Sequence, residues 1–242
     1  MNDSLICAKN LMVEFPTYIA DRSLKRILLN AATGGKISRD AKSHVLVRAI
    51  DGISFDLKPG DRIGLMGHNG SGKTTLLRVL AGAYAPVSGQ LEIRGLVSSL
   101  LDISMGMSGD ATGYENIILR GLMMGLEPED IRNRLHEIGE FTELGDYLTM
   151  PIRTYSSGMK LRLAFAVSTA IPADILLMDE WLSVGDDSFK KKASKRMDSL
   201  VEKAAILVIA SHSKGLISRM CNRVFMLEHG RVIDEINPSC LS

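Results

Sequence analysis

Alternating hydrophobic and polar positions predict β-strands at both ends of the chain. Residues 5–15 and 49–57 alternate, and the turn at Pro59-Gly60 leads into an apolar segment at 62–66. Further strands are predicted at 89–93, 175–178 and 205–210, with a hairpin around Gly230 near the end of the sequence.

Helical periodicity replaces this alternation in the middle of the chain. Residues 114–148 are mostly helical in pattern, and Pro128 with its acidic neighbours is typical of a helix start. Helices are also predicted at 161–170 and 189–203. Strands that alternate with helices favour an α/β fold with a parallel sheet covered on both faces.

Composition narrows the functional classes. The 242 residues are 45% hydrophobic and 24% charged, as expected for a globular protein. Lys and Arg number 29 against 28 acidic residues, and a net charge of +1 argues against a nucleic-acid partner. The longest apolar run, 204–210, is too short to span a membrane, and residues 1–10 lack a secretory signal pattern. A cytosolic location is therefore expected.

Residues 18–48 form a locally basic insertion. They contain seven Lys or Arg and two Asp. Within them, 23–30 has the pattern of a short basic amphipathic helix, and 33–38 that of a loop. Taken alone, the insertion is best interpreted as a solvated surface segment.

A phosphate-binding loop is predicted where the strand at 62–66 ends. The sequence fits G-x-x-x-x-G-K-[ST] between a strand and a helix. The residues of this phosphate loop (67–75) are Gly67, His68, Asn69, Gly70, Ser71, Gly72, Lys73, Thr74 and Thr75. Backbone N–H groups can surround a phosphate, Lys73 can reach the β- and γ-phosphates of ATP, and Thr74 can ligate Mg²⁺.

Two carboxylates follow the apolar strand at 175–178. Ligands bind at the carboxyl ends of parallel strands, so Asp179 is a candidate Mg²⁺ ligand. Glu180 is the candidate general base for the attacking water. A small-molecule kinase with a phosphate loop would fit these two features as well.

Further motifs resemble those of ATP-binding cassette (ABC) proteins. Tyr155 to Arg162 resembles the ABC signature, residues 183–186 resemble a D-loop, and His212 after a strand resembles the switch histidine. The resemblance implies a P-loop NTPase ABC nucleotide-binding domain spanning 1–242, with a mostly parallel core sheet, an antiparallel β subdomain and a helical subdomain at about 104–168.

The same resemblance implies a head-to-tail homodimer. Signature residues Ser156, Ser157 and Gly158 would contact the γ-phosphate bound by the other subunit. Lys73, Glu180 and His212 would be the catalytic residues around that phosphate. The residue that stacks on adenine stays open among His44, Phe15 and Tyr18.

Departures from the usual ABC motifs point to a subfamily. Tyr155, Ser157 and Met159 replace the first, third and fifth residues of LSGGQ, and the Q-loop glutamine is missing, since Gln90 is the chain's only glutamine. Asp102 is the expected substitute near the metal. With T-G-x-E-N at 112–116 and the basic insertion, the chain resembles ATP-binding subunits of bacterial polysaccharide exporters.

That resemblance implies the partners and the location. An integral membrane permease, expected in two copies, would move a lipid-linked glycan of the O-antigen, capsule or teichoic-acid type. The chain would lie peripherally on the cytoplasmic face of the inner membrane, and the basic insertion could contact anionic headgroups or the glycan pyrophosphate. Alternatives are a soluble ABC ATPase acting on nucleic acid or the ribosome, and another ABC transporter class.

The permease is expected to dock on residues 100–109 and on the helical insert at 114–148. Met105 and Met107 supply flexible thioethers that can adapt to a partner helix. Packing of the same two side chains in the core is an equally good interpretation.

Overall fold

The computed structural model describes residues 3–17, 36–39, 45–101, 103, 106–180 and 187–241. The chain forms two compact units. The first comprises the described residues of Met1–Val97, Asp174–Trp181 and Ala204–Ser242, and the second those of Ser98–Ala173 and Leu182–Lys203.

The described residues contain ten strands and six α-helices. The strands are β1 Leu5–Thr17, β2 Lys36–Arg39, β3 Val45–Leu57, β4 Arg62–Met66, β5 Ser88–Arg94, β6 Val97–Ser99, β7 Ile175–Asp179, β8 Ile206–Ala210, β9 Arg223–Glu228 and β10 Arg231–Ile236. The helices are α1 Lys73–Leu80, α2 Gly113–Met123, α3 Pro128–Thr142, α4 Ser157–Ser168, α5 Asp187–Lys203 and α6 Lys214–Met220. Short 3-10 helices lie at Gly145–Thr149, Ile152–Thr154 and Pro238–Leu241. None of these helices is long and apolar enough to cross a bilayer.

An antiparallel sheet forms one part of the first unit, in the order β2-β3-β1-β5. The register of β1 against β3 runs from Ile6 opposite Leu57 to Thr17 opposite Val45. Alternate apolar side chains of β1, such as Leu11 and Val13, are buried, as the sequence pattern predicts.

The core sheet has the order β10-β9-β4-β8-β7-β6. Strands β9, β4, β8 and β7 are parallel neighbours, whereas β10 returns antiparallel to β9 as a hairpin. Every residue of β8 is buried, as expected for a strand covered on both faces. The predicted mostly parallel core sheet and the hairpin around Gly230 are confirmed.

The second unit is helical. Its core contains apolar side chains from α2, α3 and α4, including Ile117, Ile138 and Leu163. The mostly helical insert predicted at 114–148 is confirmed by α2, α3 and the 3-10 helix at Gly145–Thr149.

The T-G-x-E-N motif has a structural explanation in this unit. The Thr112 hydroxyl accepts a hydrogen bond from the Glu115 N–H while the Glu115 carboxylate accepts one from the Thr112 N–H, a capping box that starts α2. A Cβ atom on Gly113 would lie 2.6 Å from the Tyr155 hydroxyl oxygen. The buried Asn116 amide donates to the carbonyls of Ser108 and two further residues, which fixes the loop before α2.

One predicted loop is wrong, and several predictions lie outside the described residues. Lys36–Arg39 forms strand β2 on the edge of the antiparallel sheet, although 33–38 has the composition of a loop. It pairs with the part of β3 that precedes the predicted strand start at Ala49. The undescribed features are the basic helix at 23–30, the D-loop at 183–186, Tyr18, His44, Asp102 and Met105.

Candidate phosphate-binding site

Three neighbouring parallel strands deliver the predicted site residues to one edge of the core sheet. The phosphate loop follows β4, Asp179 ends β7, and His212 lies just after β8. Ala210 at the end of β8 pairs with Leu65 of β4 and with Asp179 of β7. The three strands therefore end side by side at the same edge of the sheet, and the residues at these ends line one pocket.

This pocket has a volume of about 570 Å³. Its lining comes from the phosphate loop, the ends of β7 and β8, and the start of β3. The lining residues are Val47, Ala49, Asn69, Gly70, Gly72, Lys73, Thr74, Thr75, Asp179, Glu180, Ser211 and His212. The structure thus brings together most of the phosphate loop and all three candidate catalytic side chains.

The phosphate loop presses against neighbouring backbone at two glycines. A Cβ atom on Gly67 would lie 2.2 Å from the Leu227 carbonyl oxygen. One on Gly72 would lie 2.8 Å from the Ala49 carbonyl oxygen, and Gly72 has φ of 107°. Only glycine fits both the space and the left-handed backbone.

Lys73 extends back into the curve of the loop. Its side chain is 7% exposed, and Nζ donates to the carbonyl oxygens of Gly67 at 2.8 Å and His68 at 3.0 Å. Burial lowers the Lys73 pKa, and this is opposed by the negative charges of Asp179 and Glu180. A phosphate that enters the loop meets this ammonium group already in place.

Ser71 is the second buried polar residue of the loop. It is 0% exposed, and its Oγ has no hydrogen-bond partner among the described residues. A buried hydroxyl without a partner costs free energy.

Thr74 and Asp179 form the candidate metal site. The Thr74 hydroxyl donates to the Asp179 Oδ2 at 2.6 Å. A hydroxyl and a carboxylate are oxygen ligands of the kind that Mg²⁺ prefers, together with substrate phosphates. The residues present therefore fit Mg²⁺ at this position.

Glu180 has a left-handed backbone conformation with φ of 66°, which is uncommon outside glycine. Its N–H donates to the Ala210 carbonyl oxygen at 2.7 Å, which ties the turn after β7 to the end of β8. The Glu180 and His212 side chains are exposed and line the pocket. Backbone strain of this kind is often found at functional sites.

The tip of the β9–β10 hairpin supports the phosphate loop, a feature that the sequence analysis missed. The Gly230 N–H donates to the Ser71 carbonyl at 3.0 Å, and the Gly230 carbonyl accepts from the Asp51 N–H at 2.8 Å. The Asp51 carboxylate, 5% exposed, accepts from Arg231 at 2.7 Å and from Arg48 at 3.2 Å. In the sequence, only the turn residue Gly230 hinted at this contact between the hairpin and the phosphate loop.

Among the described residues, no Phe, Tyr or Trp side chain that could stack on adenine lines the pocket. Phe15 packs edge-on against Tyr84, with ring centroids 5.1 Å apart, and does not line the pocket. Val47 and Ala49 of β3 are the apolar lining residues instead.

In the second unit, the signature residues form the open N-terminus of α4. The Ser156 hydroxyl accepts from the Met159 N–H at 3.2 Å as the helix cap. Ser156 and Ser157 are exposed, Gly158 is half-buried, and the first turn contains no acidic residue. They line a pocket of about 660 Å³. A helix N-terminus with free N–H groups favours an anion.

Two departures from the usual signature are explained by packing. Tyr155 is buried in the helical core and its hydroxyl donates to the Tyr147 carbonyl oxygen. Met159 packs against the same core. Both side chains stabilise the second unit, which leaves Ser156 and Ser157 exposed and Gly158 half-buried.

Comparisons with known proteins agree with this geometry. Residues 50–183 match the ABC transporter family model. The chain is 45% identical over 228 residues to the O-antigen export system ATP-binding protein RfbE of Yersinia enterocolitica, covering 94% of this chain and 95% of that protein. It is 41% identical to RfbB of Myxococcus xanthus, also named for O-antigen export, over 87% of this chain and 47% of that protein.

A third relative is the teichoic acids export ATP-binding protein TagH of Bacillus cereus, 40% identical over 80% of this chain and 35% of the relative. The chain therefore spans nearly all of the first relative and less than half of the other two. Among solved structures, the dimeric cassette MJ0796 in a post-hydrolysis state with ADP and Pi has a TM-score of 0.67 at 18% identity, covering 96% of this chain and 98% of that chain. That likeness shows the fold.

Proposed function

Because the chain belongs to the ABC transporter family, we propose that it is the ATP-hydrolysing subunit of an exporter of lipid-linked polysaccharide. The ATPase activity is best supported by one observation: Lys73, Thr74 and Asp179 line the same pocket, and the Thr74 hydroxyl donates to the Asp179 carboxylate. The export function is supported by the relatives named for O-antigen and teichoic-acid export.

The phosphate loop binds ATP through its backbone N–H groups and Lys73. Gly67, His68, Asn69, Gly70, Ser71, Gly72, Lys73, Thr74 and Thr75 form the cradle. The Lys73 ammonium exchanges its two carbonyl acceptors for β- and γ-phosphate oxygens. Mg²⁺ held by Thr74 and Asp179 would neutralise charge on the β- and γ-phosphates.

Hydrolysis requires a base and an orienting group on the other side of the γ-phosphate. Glu180 lines the pocket next to Asp179 and accepts the proton of the attacking water. His212 lines it from the end of β8 and contacts the γ-phosphate. Asp102, outside the described residues, completes the proposed metal surroundings.

Two copies of the chain assemble head to tail, so that each signature closes the partner's site. The α4 N-terminus offers backbone N–H groups and the hydroxyls of the exposed Ser156 and Ser157, without an acidic side chain in its first turn. It suits a γ-phosphate presented by the second copy.

The permease, in two copies, docks on the helical unit at the cytoplasmic face of the inner membrane. Helix α2 carries three large apolar side chains that are exposed, Leu119 at 40%, Leu122 at 44% and Met123 at 70%. Met107 packs only partly buried against the helical core. An exposed apolar stripe of this kind is typical of a protein contact.

Purification from detergent separates this proposal from a soluble ATPase. The expected result is co-purification with an integral membrane protein and Mg²⁺-dependent ATP hydrolysis that Glu180→Gln removes. Charged substitutions at Met123 should stop polysaccharide export while basal ATPase activity continues. A protein that has no membrane partner and whose hydrolysis is stimulated by nucleic acid would contradict it.

A further inference from the structure

We infer that His68, Glu228 and His229 form a binding site for a divalent transition-metal ion of the Zn²⁺ class. One ligand atom from each side chain lies within 4.8 Å of the other two, and all three residues are exposed. His68 belongs to the phosphate loop, whereas the other two form the tip of the β9–β10 hairpin. None of the three is among the lining residues of the nucleotide pocket, although His68 belongs to the loop that we propose cradles the phosphates.

A hydrogen bond to one ring nitrogen of His68 leaves the other nitrogen available for a metal ion. The His68 Nδ1 lies 2.8 Å from the Asn69 carbonyl oxygen. A carbonyl can only accept, so Nδ1 carries the proton in this contact and Nε2 keeps its lone pair. Histidines that bind metals usually donate their other ring N–H in this way to a carboxylate or a backbone carbonyl. His68 makes a hydrogen bond of this kind to the Asn69 carbonyl oxygen.

His229 is held opposite His68 by the backbone. The two ring centroids are 5.4 Å apart, and the His229 Nε2 lies 3.7 Å from the Glu228 Oε1. His229 has φ of 48°, a left-handed conformation that is uncommon for a non-glycine residue. The next residue, Gly230, is fixed by its hydrogen bonds to Ser71 and Asp51. The tip therefore keeps its place beside the loop.

The chemistry of the three ligands selects the ion. Imidazole nitrogens suit Zn²⁺, Cu²⁺ and Ni²⁺, whereas Mg²⁺ prefers oxygen ligands such as Thr74 and Asp179. Ligand atoms around a tetrahedral zinc are about 3.3 Å apart, given bonds of roughly 2.0–2.1 Å to nitrogen. Rotation of exposed side chains can close the remaining gap, and a water can take the fourth position. A bound ion would join the phosphate loop to the hairpin tip.

Titration calorimetry of the full chain with Zn²⁺ in the absence of nucleotide tests the site. We expect one site that His68→Gln and His229→Asn each weaken at least tenfold, and Glu228→Gln weakens less. Asparagine is chosen at position 229 because it tolerates the left-handed backbone. The matched control is His136→Gln on α3, an exposed histidine 3.3 Å from Glu140. It should leave the affinity unchanged.

Co²⁺ in place of Zn²⁺ identifies the ligands by spectroscopy. The expected spectrum has d–d bands and no thiolate charge-transfer band, because the three free cysteines lie outside the cluster. Unchanged zinc affinity in both His68→Gln and His229→Asn, or a thiolate band, would overturn the inference. Since the readout is metal binding and needs no hydrolysis, it is independent of the proposed transport function.

Discussion

The phosphate loop and the signature segment are both candidate anion sites built on backbone N–H groups, but they differ in burial. In the loop, Ser71 is 0% and Lys73 is 7% exposed, and glycines press the backbone against its neighbours. At the start of α4, Ser156 and Ser157 are exposed and the pocket beside them is open. We therefore propose that the loop holds a phosphate of ATP and that the signature acts on a phosphate presented by a second copy of the chain.

The N-terminus of α2 shows that an open helix start is not general in this unit. There Glu115 and Thr112 form reciprocal hydrogen bonds. The hydrogen bonds that the Thr112 N–H and hydroxyl donate to the Glu115 carboxylate lower the Glu115 pKa. A carboxylate of the chain itself therefore occupies this helix start, while the α4 start has a serine cap and no acidic side chain.

The largest effects are expected in the complete site. Lys73→Ala should weaken ATP binding, because the loop loses its only lysine and its charge-assisted phosphate contacts. Glu180→Gln should keep ATP binding and lower turnover by on the order of 10² or more. Equilibrium nucleotide binding and phosphate release measure the two steps separately. Wild-type turnover of Glu180→Gln would show that another group is the base.

A negative charge in the open site should separate activity from stability. Gly158→Asp places a carboxylate in the first turn of α4, where the nearest heavy atom to a new Cβ is 3.9 Å away. Hydrolysis should fall to background, whereas the free energy of unfolding should stay equal or rise by about 0.5–1 kcal/mol from helix propensity and dipole. Gly158→Ala is the uncharged control. Loss of stability in Gly158→Asp would mean that the start of α4 is not open.

Disturbing the contact between the tip of the β9–β10 hairpin and the phosphate loop should have an intermediate effect on ATP binding. Gly230→Ala places a Cβ 2.6 Å from the Ala49 carbonyl oxygen at φ of +77°, so the contact to Ser71 must shift. We expect KM for ATP to rise roughly tenfold, with a smaller change in kcat. Gly60→Ala is the control, because Gly60 has φ of +96° and open space around it. An equal rise of KM in both variants would attribute the effect to backbone strain alone.

Removing the charge of Glu115 at the N-terminus of α2 should give the smallest effect, a change in the free energy of unfolding. Because its folded pKa is lowered, Glu115 stabilises the protein above its unfolded pKa of about 4.5, and this is lost as pH falls through the folded value. Glu115→Gln should therefore be less stable than the wild type at neutral pH, and the difference should shrink below pH 4.5. Urea unfolding across this range measures it. A stability difference between wild type and Glu115→Gln that does not change with pH would show that the charge of Glu115 is not its cause.

Local patterns predicted the strand ends and the chemistry attached to them. Apolar runs before the phosphate loop and before Asp179 are strong signals, and a parallel sheet brings such ends together. Contacts between distant residues were not predictable in this way. The Asp51 to Gly230 hydrogen bond joins residues far apart in sequence, and only the hairpin turn itself had a local signal.

Two residues show what a single sequence lacks. Tyr155 departs from the usual signature, as the sequence shows, but its burial in the core of the helical unit was not predicted. Lys36 looked like part of a loop, but its strand pairs with an extension of β3 beyond the alternating segment. In both places a tertiary neighbour, rather than the local pattern, decides the structure.

Light scattering of Glu180→Gln shows directly whether a second copy of the chain completes the open signature. Without nucleotide the mass should be 26.4 kDa, and with saturating ATP and Mg²⁺ it should be about twice that value. Adding Gly158→Asp to the same chain should return the ATP-bound protein to the monomer mass. A Glu180→Gln chain that stays monomeric with ATP bound would contradict assembly through the signature.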